Sequence, residues 1–215
     1  MDIERLATFL EHPEQAESWL SGIGLEDPQR ASTNLANMAR SGITLDLLAA
    51  MCDQLEQRLP LLSDPDMALN NLDEFVGAAR SPLSLGSLFE RDAESLATLL
   101  QIFSTSQYLS DWLVRDREAF DLLRLTEGLP VPPEALRRDI CSDVAAVNDE
   151  QTVMMILRGY RHREMLRIAF GDIIRGQDLD TVTAQISHLA DAIVEAALQA
   201  AWRFQEAKRG VPRLA

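Results

Sequence analysis

Residues 157–213 read LRGYRHREMLRIAFGDIIRGQDLDTVTAQISHLADAIVEAALQAAWRFQEAKRGVPR. This stretch decides the fold class, because it describes two long helices divided at Gly176. The first is expected to start at an Asn148 cap, with Gln151 three residues later as in a capping box, and to run to about Arg175. Gly159 in its interior costs ~1 kcal/mol relative to alanine, so a close helix crossing is expected there. The second begins near Asp180 and ends at about Arg209, where Gly210 and then Pro212 stop it. Its stripe of Ile186, Leu189, Ile193, Ala197, Ala200 and Phe204 mixes large and small residues, a pattern suited to tight packing on a partner helix.

Working outward, the punctuation stays helical. Pro132-Pro133 opens a helix with Leu136, Ile140 and Val144 as its apolar stripe. The segment from Gly128 to Pro133, GLPVPP, reads as a linker. Short helices are expected around residues 107–114 and 117–125, with Tyr108, Trp112, Phe120 and Leu123 as core anchors. Asp92 caps AESLATLLQIFS. Asp64-Pro65 opens a helix carrying Leu69, Leu72, Phe75 and Val76, which Ser81-Pro82 ends. Thr44 precedes a helix with Leu45, Leu48, Cys52, Leu55 and Leu59 on one side. Gly22, Gly24 and Pro28 cut the first 40 residues into short pieces. No strand alternation, βαβ unit or internal repeat stands out. The expected fold is all-α, a multi-helix bundle of roughly nine or ten helices ending in the two long ones, with an acidic subdomain over residues 1–128 and a second over 134–215.

Composition narrows the function classes. The chain has 215 residues, 47% of them apolar and 25% charged, as in ordinary globular proteins. The net charge of −14 is uneven: residues 1–150 hold 27 acidic and 11 basic groups, a balance of −16, and residues 151–215 a balance of +2. The acidic part repels phosphates, so no nucleic-acid partner is expected. No apolar run is long enough to span a bilayer, and MDIERLATFLEH has no secretory pattern, so no membrane partner and a cytoplasmic location are expected. Cys52 and Cys141 fall outside any CxxC pattern and read as small core residues.

Few residues suggest chemistry. Asp178-Leu-Asp180 could hold a divalent metal, but acidic residues at a helix start are explained by the unpaired N–H groups there. Asp64-Pro-Asp66 has the same explanation. His12, His162 and His188 do not pair with metal ligands at ligand spacing. There is no GxSxG elbow, Walker A loop or GxGxxG. Arg158, Arg161, Arg163 and Arg167, with Glu164 and His162 among them, form the one basic concentration. Arg163 and Arg167 should share a face, and Glu164 lies three residues from both Arg161 and Arg167. The cluster could face a phosphate or an acidic domain. The reading favoured is an arginine–carboxylate network that fixes this helix against the acidic first part. The residues taken by themselves describe a helical bundle with no catalytic or cofactor-binding residue.

Arg161-His-Arg-Glu-Met-Leu-Arg-Ile-Ala169, Leu189-Ala-Asp-Ala192 and Gly210-Val-Pro-Arg213 resemble the helical segment that precedes a catalytic core in glutamine synthetase adenylyltransferases/adenylyl-removing enzymes. Asn71–Phe75, Ile102–Asp116 and the step Asp116–Phe120 resemble that family's preceding helices, so the likeness spans about residues 70–213. The resemblance implies the helical N-terminal region of a protein that transfers AMP from ATP, with Mg2+, to glutamine synthetase and removes it again. It implies a nucleotidyltransferase domain following the bundle, with a glycine-rich loop and an Asp-x-Asp pair. None of those residues stands in this sequence, and Asp178 and Asp180 do not match their place. No catalytic residue, ATP or Mg2+ ligand is therefore carried over. The implied partners are that domain, glutamine synthetase or a nitrogen-signalling regulatory protein, and a bundle in that position should expose an apolar or basic face. The alternative expectation is a stand-alone helical interaction module.

Overall fold

The computed structural model describes residues 1–116 and 118–210. Arg117 of the 116–120 step and residues 211–213 of the closing junction lie outside them. Among the described residues the regular structure is helical. The α-helices are α1 (Ile3–Glu11), α2 (Glu17–Gly22), α3 (Pro28–Arg40), α4 (Leu45–Arg58), α5 (Pro65–Gly77), α6 (Pro82–Arg91), α7 (Ala93–Thr105), α8 (Gln107–Arg115), α9 (Glu118–Thr126), α10 (Pro133–Ala145), α11 (Glu150–Ile173) and α12 (Leu179–Arg209). Two 3-10 turns, Pro13–Gln15 and Leu59–Leu61, complete them. The class is the expected one, with two or three more helices than the sequence suggested. Ser81-Pro82 shows why: read as a stop, it also starts α6, with the Ser81 side chain accepting from the Ser84 N–H.

The chain forms two compact units, Met1–Asp121 and Leu122–Ala215. In the first, short polar side chains set the helix starts. Asp27, Asp64, Asp92 and Ser106 each accept a hydrogen bond from the N–H three residues on, as Ser81 does. Proline sits in the first turn of α3, α5 and α6, where its missing N–H costs nothing. Leu48, Cys52, Leu55 and Leu59 are buried, as are Leu69, Leu72, Phe75 and Val76. Phe75 stacks obliquely on Phe103 and edge-on to Phe120, with ring centroids 5.7 and 5.9 Å away. Burial pushes the Cys52 thiol up to about 12, as suits a packed core cysteine. Leu45 and Tyr108 depart from expectation and are exposed, Tyr108 by 63%. Each sits in the opening turn of its helix, ahead of the first buried residues, Leu47 and Leu109.

Polar links tie the helices of this unit at a repeated step. Asn34 Nδ2 donates to Asn70 Oδ1 (2.7 Å), Asn37 Nδ2 to Asp73 Oδ2 (2.9 Å), and Gln107 Nε2 to Asn71 Oδ1 (3.0 Å), with partners 36 residues apart in each case. Asp66 accepts from the Glu26 and Asp27 N–H groups at 2.8 and 3.1 Å, which accounts for the second acid of Asp64-Pro-Asp66.

In the second unit α12 packs along both α10 and α11. Leu136, Ile140 and Val144 meet Val153, Leu157 and Tyr160, and Val182, Leu189, Ala192, Ala196 and Ala200 close the core. The Arg203 guanidinium donates to three carbonyls at the end of α10, those of Val144, Ala145 and Val147. Three details differ from the sequence reading. The buried stripe of α12 runs through Val182, Gln185 and Ala196, leaving Ile186 41% exposed. Asp149 caps α11 in place of Asn148, accepting from the Thr152 N–H and hydroxyl. Gly159 meets nothing within 4 Å and has no close crossing.

Candidate functional site

The arginine cluster divides once α11 is packed. Arg167 is fully buried and is the largest side chain so enclosed. Arg158, Arg161 and Arg163 are exposed. Among the described residues they make no ion pair. Arg163 and Arg167 do not share a face as expected. A four-residue step turns a helix by ~40° beyond one full turn. That is enough here to carry the side chain from a groove beside α10 to the core. Arg163 lines that groove with Gly159, Met155, Ser142 and Asp143.

Arg167 is held by three acceptors. Its Nε donates to Glu164 Oε2 at 2.8 Å, one turn earlier. Its Nη1 donates to the Leu129 carbonyl (2.5 Å) and to Gln185 Oε1 on α12 (2.7 Å). Nη2 is buried without a hydrogen-bond partner among the described residues. Arg167 thus has one carboxylate partner, and its three partners, Glu164, Leu129 and Gln185, all belong to the second unit. Glu164 serves Arg167 and not Arg161.

The network continues past Arg167. Gln185 Nε2 donates to Gln177 Oε1 (2.9 Å), and Gln177 Nε2 donates to the Gly128 carbonyl (2.8 Å). Arg175 donates through Nε to the Glu127 carbonyl and through Nη2 to the Glu127 carboxylate, both at 3.2 Å. Three successive carbonyls, 127, 128 and 129, are therefore gripped by three side chains from α11 and the turn after it. The backbone is shaped for this. Glu127 and Gly128 both have positive φ, 51° and 70°, which ends α9 and fans the carbonyls out. A Cβ on Gly128 would sit 2.6 Å from Phe170 Cδ1 and 2.9 Å from the Gly171 nitrogen, and one on Gly171 would sit 2.7 Å from Gln177 Nε2. The stretch read as a linker is a clamped strap.

Sequence reasoning found Arg167 and Glu164 but missed Gln185, Gln177, Arg175 and Gly171. A glutamine on the buried side of an apolar helix was the one available signal for Gln185, since such an amide needs a buried partner.

Of the remaining candidates, Asp178 has a structural role. Asp178 caps α12, accepting from the Thr181 N–H (2.9 Å) and hydroxyl (2.8 Å), and these bonds hold its carboxyl below the usual range. Burial, with Arg161 alongside, lowers the His162 pKa. Among the described residues no three His, Cys, Asp or Glu side chains converge as metal ligands. What this arrangement does chemically is hold backbone.

A protein-family description, glutamate-ammonia ligase adenylyltransferase, matches residues 96–215, more than half of the chain. The chain belongs to this family. It is 29% identical over 206 residues to a bifunctional glutamine synthetase adenylyltransferase/adenylyl-removing enzyme of Xanthomonas campestris, covering 92% of this chain and 22% of that protein. Proteins of the same name from Thioalkalivibrio sulfidiphilus (26% identical, 93% of this chain, 22% of theirs) and Leifsonia xyli (28%, 87% and 19%) are similar in the same way. The chain spans about a fifth of the length of these relatives. The family match takes in the Arg167 clamp and both long helices, and most of the first unit lies before it.

Proposed function

We propose that this chain serves as a helical scaffold of a glutamine synthetase adenylyltransferase-like protein, the parent activity being AMP transfer from ATP to glutamine synthetase and its removal. The observation that carries the reading is the use made of Arg167. The basic segment that gives the chain its family likeness does not converge on a ligand. Its central arginine is enclosed and fixes the strap that joins α9 to α10. A framework residue of this kind supports a site without belonging to it. ATP and Mg2+ would then be bound by residues that this sequence does not contain, and glutamine synthetase would be modified by a part other than this one. A nucleotidyltransferase domain, and a nitrogen-signalling regulatory protein, are the partners such a scaffold would support. The acidic first unit argues against nucleic acid, and no helix among the described residues is long and apolar enough to cross a membrane. A cytoplasmic location is part of the same proposal.

The test has two arms. The 215-residue chain is incubated with labelled ATP, Mg2+ and glutamine synthetase, and no AMP transfer is expected. A chimera in which it replaces the matching fifth of the Xanthomonas enzyme should transfer AMP. Transfer by the chain alone, or a folded chimera without activity, would overturn the scaffold reading.

A further inference from the structure

Helix boundaries in the first unit recur at one interval. α3 runs from Pro28 to Arg40 and α5 from Pro65 to Gly77, while α4 begins at Leu45 and α6 at Pro82. The start of α3, its end and the start of α4 each return 37 positions later. The caps return with them. Asp27 accepts from the Arg30 N–H, and Asp64 from the Met67 N–H. At the other end of the same helices, the Ser41 and Ala78 N–H groups donate back to the carbonyls of Asn37 and Glu74. Thr44 and Ser81 then open the second helix of each pair.

Side chains at the same interval fill the same places. Ala31 and Ala68, Leu35 and Leu72, Met38 and Phe75, and Cys52 and Phe89 are buried pair by pair. Ala49 is matched by Gly86, where a Cβ would stand 3.3 Å from Leu47 Cδ1 on α4. The polar ladder keeps the interval too. Asn34 and Asn71 are 7 and 2% exposed, and their side-chain acceptors, Asn70 and Gln107, are again 37 apart. One interval beyond Asn71 stands Tyr108, exposed, and there the ladder stops. One interval before Asn70 stands Thr33, also exposed, with its hydroxyl turned back to the Gln29 carbonyl. Two unrelated hairpins need only a 3.6-residue period within each helix. Nothing in that period would hold caps, helix length, connecting turn and cross-helix bonds to a single offset. Identity is confined to a few positions, Asp27-Pro28 and Asp64-Pro65 among them, so the residues alone do not announce the match.

We infer that residues 27–63 and 64–100 are two copies of one helical hairpin stacked in tandem, and that the asparagine seven residues after each cap sets the register of the next step. A buried amide suits that task, because a slip along the neighbouring helix would leave it without a partner. The ladder is directional: each copy supplies the donor, and the element that follows supplies the acceptor. The copies part after Arg91. There α6 ends at 10 residues against 14 for α4, and α7 follows where the first copy has a 3-10 turn. In stacked arrays each repeat is stabilised by its neighbours, so such an array can be lengthened. The inference concerns how the first unit is built; it goes beyond the scaffold reading and does not depend on it.

Lengthening the array tests it. A second copy of residues 27–63 is inserted after Ser63 in the full chain. By circular dichroism the added segment should be as helical as the original, and denaturant unfolding should show no added transition and a steeper slope. A scrambled segment of the same composition should add no helicity. Thr33→Asn made in the inserted copy gives the preceding Asn34 an amide acceptor, and it should raise the folding equilibrium constant about fivefold. The same change in the unlengthened chain should alter that constant by less than about twofold, since Thr33 is exposed there and asparagine and threonine have similar helix propensity. An inserted segment that stays unfolded, aggregates or unfolds separately would overturn the inference. So would a scrambled segment that behaves like the true copy, or a gain from Thr33→Asn that is equal in both chains.

Discussion

In the first unit, three side-chain pairs link neighbouring helices at one sequence separation; in the second, three side chains meet three successive backbone carbonyls. Asn34, Asn37 and Asn71 reach Asn70, Asp73 and Gln107 at a common separation of 36 residues. Arg167, Gln177 and Arg175 reach the carbonyls of Leu129, Gly128 and Glu127. The physical consequence lies in what substitution can repair. Both members of a side-chain pair can be replaced by apolar groups at little net cost, whereas a backbone carbonyl stays polar whatever the sequence becomes.

The largest effect expected breaks the second unit. Arg167→Met keeps length and removes charge. It strands the Leu129 carbonyl, Gln185 Oε1 and the mostly buried Glu164 carboxylate in one place. Removing one partner of a buried charged group costs about 3–5 kcal/mol, and denaturant unfolding should show a loss of that order. Adding Gln185→Leu should not recover it, because Leu129 still lacks a donor. Limited proteolysis should then cut within residues 127–131 faster than in the parent chain. A loss below about 1 kcal/mol would mean that the strap is held by packing and not by the clamp.

A smaller effect sharpens the contrast in the first unit. Asn71 is 2% exposed and donates to the Phe103 carbonyl at 3.1 Å besides pairing with Gln107. Asn71→Leu should cost about 1–3 kcal/mol, the penalty of leaving buried partners unmet. Here Gln107→Leu in the same chain should return part of the loss, since the pair is then apolar on both sides. Recovery in this double variant and none in the Arg167 one would establish the difference between the units. Equal behaviour would remove it.

What the sequence could and could not say follows the same division. Asp and Ser caps with proline behind them mark helix starts locally, so the helical class and both long helices are legible from the residues alone. The stripe Leu69, Leu72, Phe75 and Val76 needs only 3.6-residue periodicity. The clamp is not legible as a unit. Arg167 and Glu164 are near neighbours in sequence, but Leu129 contributes a carbonyl, which every residue has, and Gln177 and Gln185 carry no spacing that points to it. Cap choice between Asn148 and Asp149 also lies beyond pattern reading, because both residue types cap well and packing sets the register. The face of Arg163 depends on how far round α11 its neighbour α10 reaches, which is tertiary information.

The smallest expected effect concerns Gly159, where pattern reading went furthest astray. A glycine inside a long helix invites the inference that a neighbour presses against it. Nothing lies within 4 Å of where its Cβ would be, and the residue faces the open groove that Arg163 lines. The backbone there is helical, so alanine adopts it without strain. The glycine then contributes only extra freedom in the unfolded chain. Gly159→Ala should therefore stabilise the second unit by about 0.5–1 kcal/mol, seen as a higher denaturant midpoint with unchanged slope. The same change placed at Gly171, where the Gln177 amide fills the Cβ position, should destabilise. The opposite signs of two Gly→Ala changes on one helix separate a glycine that the clamp requires from one that the fold merely tolerates. If Gly159→Ala proved destabilising, a group absent from the described residues would have to approach α11 at that point.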